Sequence, residues 1–156
     1  MESEFKSVAE YIIDNIDNYS TKRIVETITQ EYEYLTYIEH GVERIVFNID
    51  HPDYQDYVLK IAKNTDSIDS NKQEYNNWDN LKYTKYSEWL CPVDLNRSAD
   101  DYSYILMEKV SIDEGCYMPV VKNLCQISTS AEISDQNVGK HPNQGNVLID
   151  YTHAIS

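Results

Sequence analysis

YEYLTYIEHGVERIVFNIDHPDYQDYVLKIAK, residues 32–63, holds three β-rich runs in succession, and this stretch decides the fold class. The runs cover residues 34–39, 43–49 and 56–62. Gly41 separates the first two runs and DHPDYQ separates the last two, and both breaks have turn chemistry. Short strands joined by short turns predict an antiparallel meander.

Helical patterns lie on both sides of this meander. Two amphipathic helices precede it, over residues 3–18 and 21–32, and either Ser20 or Thr21 is expected to cap the second. A helix capped by Ser70 follows, then two strands around NRSADD, a short helix in GCYMPVVKNLCQIS and a hairpin around HPNQG. This order predicts an α+β protein with an antiparallel sheet.

The composition of the chain limits which kinds of protein and partner are expected. A length of 156 residues fits one compact domain, and the net charge of −14 argues against a nucleic-acid backbone as a direct partner. No segment approaches the roughly 18 apolar residues of a membrane span, and the acidic N-terminus lacks a signal-peptide pattern. We therefore expect a soluble cytoplasmic protein with no membrane partner. Three cysteines without a C-x-x-C motif are typical of neither a disulfide framework nor a zinc site.

The acidity has two interpretations. It can be a solvated surface, or it can be functional, with the chain mimicking nucleic acid and occupying a basic partner. The acids are spread along the whole chain, which favours the solvated surface.

Four polar side chains stand in positions where chemistry is conceivable. Lys60 interrupts an apolar strand, where it is either an edge-strand lysine or the partner of an anion. Glu74 is either a solvated helix acid or that partner. Asn137 and Asp150 flank the last hairpin, where they are either turn residues or oxygen ligands suited to Mg²⁺.

The order of these parts resembles the protein-kinase-like superfamily, from about Tyr32 to Tyr151. HGVERIVF looks like a degenerate Gly-rich loop that retains Gly41, with Val46 in the place of the usual valine. YVLKIAK resembles the V-A-I-K strand, and YILMEKV resembles the strand that enters the hinge. IDY resembles the start of the D-F-G motif.

The resemblance implies a nucleotide site for ATP and Mg²⁺. Lys60 is the phosphate-binding lysine, Glu74 is its partner on helix C, and Asn137 and Asp150 are the metal ligands. The remaining implied residues are the nucleotide-contacting Gly41, Met107 and Glu108, and a catalytic base at Glu132, for which Asp135 is a rival.

The resemblance also implies an architecture. We expect a five-stranded antiparallel small lobe with helix C over residues 32–110, preceded by a helical extension over 1–31. A much reduced C-terminal lobe over 111–156 would end in the hairpin, because only six residues follow Asp150.

The sequence departs from the family pattern in its catalytic parts. Glu39 and Arg44 stand where two glycines of the loop are usual, H-R-D is missing and DYT replaces D-F-G. Three hypotheses follow. The chain is a minimal kinase-like nucleotide binder with at most weak phosphotransfer, a pseudokinase that binds another protein, or an acidic inhibitor of a basic partner. A small protein of the first two kinds fits a viral or prokaryotic source.

Overall fold

The structure, a computed structural model, describes residues 1–41, 43–127 and 137–151. The helices in these ranges are α1 (Glu2–Asn15), α2 (Thr21–Glu31), α3 (Ile68–Leu81) and α4 (Tyr117–Leu124), with short 3-10 helices at Lys85–Trp89 and Ile112–Glu114. The strands are β1 (Leu35–His40), β2 (Arg44–Ile49), β3 (Tyr57–Ala62), β4 (Tyr104–Glu108), β5 (Val138–His141) and β6 (Gly145–Leu148).

The chain divides into two compact units. The first comprises Met1–Lys72 with Asp94–Met107, and the second comprises Gln73–Val93 with Glu108–Ser156. The first unit contains a four-stranded sheet in the order β1-β2-β3-β4. Neighbouring strands from β1 to β3 are antiparallel, with a bulge between Tyr37 and Glu39. The prediction of an α+β fold with an antiparallel sheet is confirmed.

One face of this sheet forms the main hydrophobic core with α1 and α2. Phe5, from α1, is fully buried, and its ring packs edge-on against the rings of Tyr54 and Tyr104 at 5.3 and 5.6 Å. The cluster also contains Ile24 of α2 and Ile61 of β3. The N-terminal helices therefore cover the sheet.

Local sequence explains how these helices form. Phe5, Val8 and Ile12 recur at helical spacing and are fully buried in α1. Ser20 caps α2, because its side-chain oxygen accepts a hydrogen bond from the backbone N–H of Arg23 at 3.2 Å. Of the two predicted caps, Ser20 is the one observed.

The second unit contains the predicted hairpin of β5 and β6. The strands pair antiparallel from Val138 opposite Leu148 to His141 opposite Gly145. Gly145 has a φ of +80°, a conformation that side-chain-bearing residues adopt reluctantly, so the turn requires glycine there.

Two local predictions are wrong: the number of strands in the sheet of the first unit and the cap of α3. The sheet of the first unit has four strands and not five. The segment before NRSADD forms no named strand in the described residues, although Asp94 N donates to Leu106 O and Glu108 N donates to Pro92 O. Pro92 has no N–H group, which limits further pairing.

Helix α3 begins at Ile68, two residues before the predicted cap. Ser70 lies inside the helix and its hydroxyl donates to Glu43 Oε2 at 2.6 Å. The turn that leads into α3 is closed instead by Asn64, whose side-chain oxygen accepts from the backbone N–H of Ser67 at 2.8 Å.

Within the described ranges, none of the helices has the length and apolarity that crossing a bilayer requires.

Candidate functional site

Lys60 lies on the face of the sheet opposite to the core formed with α1 and α2. Its neighbours Leu59 and Ile61 belong to that core, and successive residues of a strand point to opposite faces. Strand β3 lies between β2 and β4, so Lys60 is not on an edge strand. The edge-lysine interpretation is therefore wrong. Only 7% of Lys60 is exposed, which is unusual for a lysine.

The cross-strand register defines what surrounds Lys60. On β2 and β3 the pairs Arg44–Ala62, Val46–Lys60 and Asn48–Val58 share one face. We call this the Lys60 face, and it comprises Arg44, Val46, Asn48, Val58, Lys60 and Ala62.

The Lys60 face combines a cation with half-buried apolar surface. Val46 lies directly opposite Lys60, and both Val46 and Val58 are partly exposed. A side-chain ammonium beside two branched aliphatic side chains suits a ligand with a flat apolar part and an anionic part. A nucleotide is such a ligand.

A second lysine follows at the end of β3. Burial lowers the pKa of Lys63 below its ordinary value, because desolvation disfavours the charged ammonium. The backbone N–H of Lys63 donates to the carbonyl of Glu43 at 2.9 Å, which continues the pairing of β2 with β3.

Glu74 is fully buried in α3. It follows one turn after Asn71, which is also fully buried, so the two residues lie on the same side of the helix. A carboxylate removed from water to this extent is costly unless it is compensated by charge or hydrogen bonds. The interpretation of Glu74 as a solvated acid is therefore wrong. Its pairing with Lys60 stays a prediction, since Lys60 belongs to the first unit and Glu74 to the second.

The hairpin of the second unit brings Asn137 next to the segment of Asp150. The backbone N–H of Ile149 donates to the carbonyl of Asn137 at 2.7 Å, one position beyond the last strand pair. The predicted pairing of these two segments is confirmed, and the ligand roles of Asn137 and Asp150 stay predictions.

Tyr151 fixes the backbone directly after Asp150. Its ring is fully buried, and its hydroxyl donates to the carbonyl of Cys91 at 2.6 Å. The side-chain amide of Asn77 donates to the carbonyl of Tyr151 at 2.7 Å. The position of Asp150 is thus held from both sides, by the hairpin and by the Tyr151 anchor.

The predicted catalytic residues Glu132 and Asp135 lie outside the described residues. Among the described residues, no three His, Cys, Asp or Glu side chains gather in a manner that could hold a metal ion. A metal site built on Asn137 and Asp150 would then take its further ligands from water or a phosphate group, which is usual for Mg²⁺.

Gly41 and Met107 differ in accessibility. Gly41 is exposed, its N–H donates to the carbonyl of Arg44 at 2.9 Å, and a Cβ there would meet no atom within 4 Å. Met107 is 1% exposed, in the β4 position that alternates with the core residue Leu106. The nucleotide contacts of both residues stay predictions.

Glu108 has partners that the sequence did not indicate. Its Oε1 lies 2.8 Å from Nε2 of His141, which is 5% exposed. Nδ1 of His141 accepts hydrogen bonds from the backbone N–H groups of Asn143 and Gln144 at 3.1 and 3.2 Å. The imidazole proton is therefore assigned to Nε2, which donates to Glu108. Nothing in the sequence pairs residues 108 and 141.

Arg44 was also missed as a residue of the site. Alternation within ERIVFNI could have placed Arg44 and Val46 on one face. The register that puts Lys60 on that same face is visible only in the folded sheet.

No model of a protein family matches the chain, and no curated protein matches it. Among solved structures it is similar to aminoglycoside phosphotransferases, which have protein-kinase-like folds. The ADP-bound enzyme APH(2'')-Ib has 18% identity and a TM-score of 0.41, over 72% of this chain and 34% of that one. The streptomycin–ATP–APH(2'')-IIa ternary complex has 19% identity and a TM-score of 0.41, over 74% and 35%. The chain thus spans about a third of the length of these structures.

Proposed function

We propose that the chain binds a nucleoside triphosphate, ATP with Mg²⁺, at the Lys60 face. The observation that carries this proposal is the burial of Lys60 on a central strand, directly opposite the half-buried Val46. A sheet face that combines aliphatic residues with cations offers a planar base an apolar surface and its phosphates a counter-charge.

Lys60 has the chemistry for the phosphates. Its ammonium is held on a rigid strand with a low exposed fraction, and an ion pair formed there is less screened than on the surface. The buried carboxylate of Glu74 is the proposed orienting partner, as the family resemblance implies. Lys60 would then supply positive charge at a fixed position.

The proposed metal ligands fit Mg²⁺ by donor type. Asn137 offers an amide oxygen and Asp150 a carboxylate, and both are hard oxygen donors. When bound, the metal would neutralise phosphate charge, and the protein's part is to hold these two side chains through the hairpin and the Tyr151 anchor.

Isothermal titration calorimetry with ATP and Mg²⁺ tests the proposal. Wild type should bind, and Lys60→Ala should bind much more weakly. Lys22→Ala is the matched control, because it removes the same charge from an exposed position on α2. Absence of heat and of thermal stabilisation for wild type at millimolar nucleotide would exclude nucleotide binding.

A second titration isolates the metal ligands. Asp150→Asn should weaken binding in Mg²⁺ and leave binding in EDTA unchanged, since only the metal-dependent part uses this carboxylate. Asp56→Asn, at an exposed position before β3, is the control. An equal loss in Mg²⁺ and in EDTA would assign Asp150 a structural role and not a metal one.

Catalysis is a separate question from binding. If the chain is a minimal kinase, purified protein should slowly transfer the γ-phosphoryl group of ATP to water, giving ADP and inorganic phosphate, and Glu132→Gln or Asp135→Asn should abolish this hydrolysis. If it is a pseudokinase, binding persists without turnover, and a partner protein carries the function.

A further inference from the structure

Arg44 and Lys60 are two buried cations on one sheet face. Their residues are 8% and 7% exposed. Arg44 lies opposite Ala62 and Lys60 lies opposite Val46, so the two cations are diagonal neighbours across β2 and β3. Diagonal Cβ atoms on one face are roughly 7–8 Å apart, within reach of two long side chains.

Two cations on one sheet face can contact the same polyanion. An anion with several oxygens can bridge them, and a chain of phosphate groups has the extent to contact both. The guanidinium binds phosphate oxygens in pairs, whereas an ammonium acts as a point charge. The pair therefore has the chemistry of a polyphosphate site.

The Arg44 side chain is positioned by a short series of hydrogen bonds. Nδ2 of the fully buried Asn71 donates to the carbonyl of Tyr102 at 2.9 Å, which turns Oδ1 of Asn71 towards Arg44. Nη1 of Arg44 donates to that oxygen at 3.4 Å.

Tyr102 holds this series in place at a conformational cost. Its φ of 62° lies in the left-handed region, which a tyrosine adopts only when its surroundings impose it. Strained backbone of this kind is concentrated at functional sites. Here the left-handed backbone directs the Tyr102 carbonyl towards the side-chain amide of Asn71, which in turn bonds Arg44.

We propose that Arg44 is a second phosphate-binding cation that acts with Lys60 on the β- and γ-phosphates of a nucleotide. This inference rests on the proposed nucleotide site. Arg44 also closes the turn after β1, because its carbonyl accepts from the N–H of Gly41. At a position where the kinase-like pattern has a glycine, a side-chain cation thus takes over part of the phosphate contact.

A purely structural role for Arg44 gives a different expectation. In that case its contact with Asn71 serves only to hold α3 on the sheet, and substitution lowers stability. The number of phosphates on a ligand would then have no influence on the effect.

The test measures affinity for ATP, ADP, AMP and inorganic tripolyphosphate, each with Mg²⁺, in four variants. Arg44→Gln should weaken ATP and tripolyphosphate about tenfold to a hundredfold, and AMP far less, as expected for one charge-assisted contact. Arg44→Lys should restore part of the affinity. Lys60→Gln should behave like Arg44→Gln. Arg23→Gln, which removes an arginine stacked on Tyr19 at the surface of α2, should bind like wild type.

Urea unfolding of each variant separates binding from folding. If Arg44→Gln fails to fold, Arg44→Lys carries the comparison, since a phosphate contact predicts a weaker effect on AMP than on ATP for it as well. Equal affinity losses for AMP and ATP in that variant would overturn the inference.

The outcomes distinguish this inference from the proposed function. If Arg44→Gln binds every ligand like wild type while Lys60→Gln does not, nucleotide binding stands and the Arg44 inference is overturned. If wild type binds tripolyphosphate through both residues but binds no nucleotide, the nucleotide proposal fails and the Arg44 inference is overturned with it. If wild type binds neither ligand, both fail.

Discussion

The two faces of the four-stranded sheet are made by the same strands and have opposite chemistry. One face packs Phe47, Leu59 and Ile61 against α1 and α2 with almost no exposed surface. The other face alternates aliphatic residues with Arg44, Asn48 and Lys60. The first face specifies the fold by apolar burial, and the second keeps costly buried charge that packing alone does not require. Such a difference within one sheet separates residues that maintain structure from residues that we propose bind a ligand.

The largest expected effect concerns the helix-covered face. Phe5→Ala should lower the free energy of unfolding by about 3–5 kcal/mol, because it removes a fully buried ring that contacts two others. Urea unfolding followed by circular dichroism measures this change. A loss below about 1 kcal/mol would mean that α1 is not part of the cooperative core.

Strand β3 allows a direct comparison of the two faces. Ile61→Ala, on the covered face, should cost about 2–5 kcal/mol, since the residue is fully buried. Val58→Ala, on the Lys60 face, should cost about 1 kcal/mol, because Val58 is only partly buried. The same unfolding assay measures both. Equal losses would show that the two faces are packed alike.

The covered face should also give the protein sensitivity to alkali. Burial, followed by the nearby Glu2 carboxylate, raises the pKa of Tyr104 to about 12 from 10.0. The folded state keeps the phenol proton longer than the unfolded state, so this stabilisation is complete below pH 10 and is lost as the pH rises towards 12. Tyr104→Phe should make the decline in unfolding free energy between these pH values shallower. An unchanged slope would assign the sensitivity to other tyrosines.

An effect as small as that of Val58→Ala should come from the start of α2, which covers the sheet. Ser20→Ala removes the hydrogen bond to the N–H of Arg23 and should cost about 1 kcal/mol. Thr21→Ala is the control, because Thr21 is the first helical residue and not the cap. A larger loss of unfolding free energy for Thr21→Ala than for Ser20→Ala would show that Thr21, and not Ser20, is the cap.

The sequence was informative where local patterns decide structure. Alternation and turn residues predicted β1, β2 and β3, helical spacing predicted α1 and α2, and HPNQG predicted the last hairpin. Local chemistry was misleading at Pro92, where the described residues form no named strand, and at Ser70, whose hydroxyl bonds Glu43 and not the start of a helix.

Burial of charge could not be predicted from local sequence. Lys60 and Glu74 had plausible exposed roles, and both are buried because of where their elements pack. In the sequence alone, Arg44 is only a departure from the glycine pattern of the loop. Its place beside Lys60 depends on the register of β2 with β3, which residues far apart in the chain decide together.

The hydrogen bonds of His141 give the hairpin a built-in spectroscopic signal. Because Nδ1 accepts two backbone N–H groups and Nε2 donates to Glu108, the ring is fixed in one tautomer. The two ring nitrogens should therefore give well-separated ¹⁵N resonances, and the amide protons of Asn143 and Gln144 should exchange slowly with solvent. Loss of either signature on adding a ligand would report a rearrangement of the hairpin next to Asp150, without any substitution in the chain.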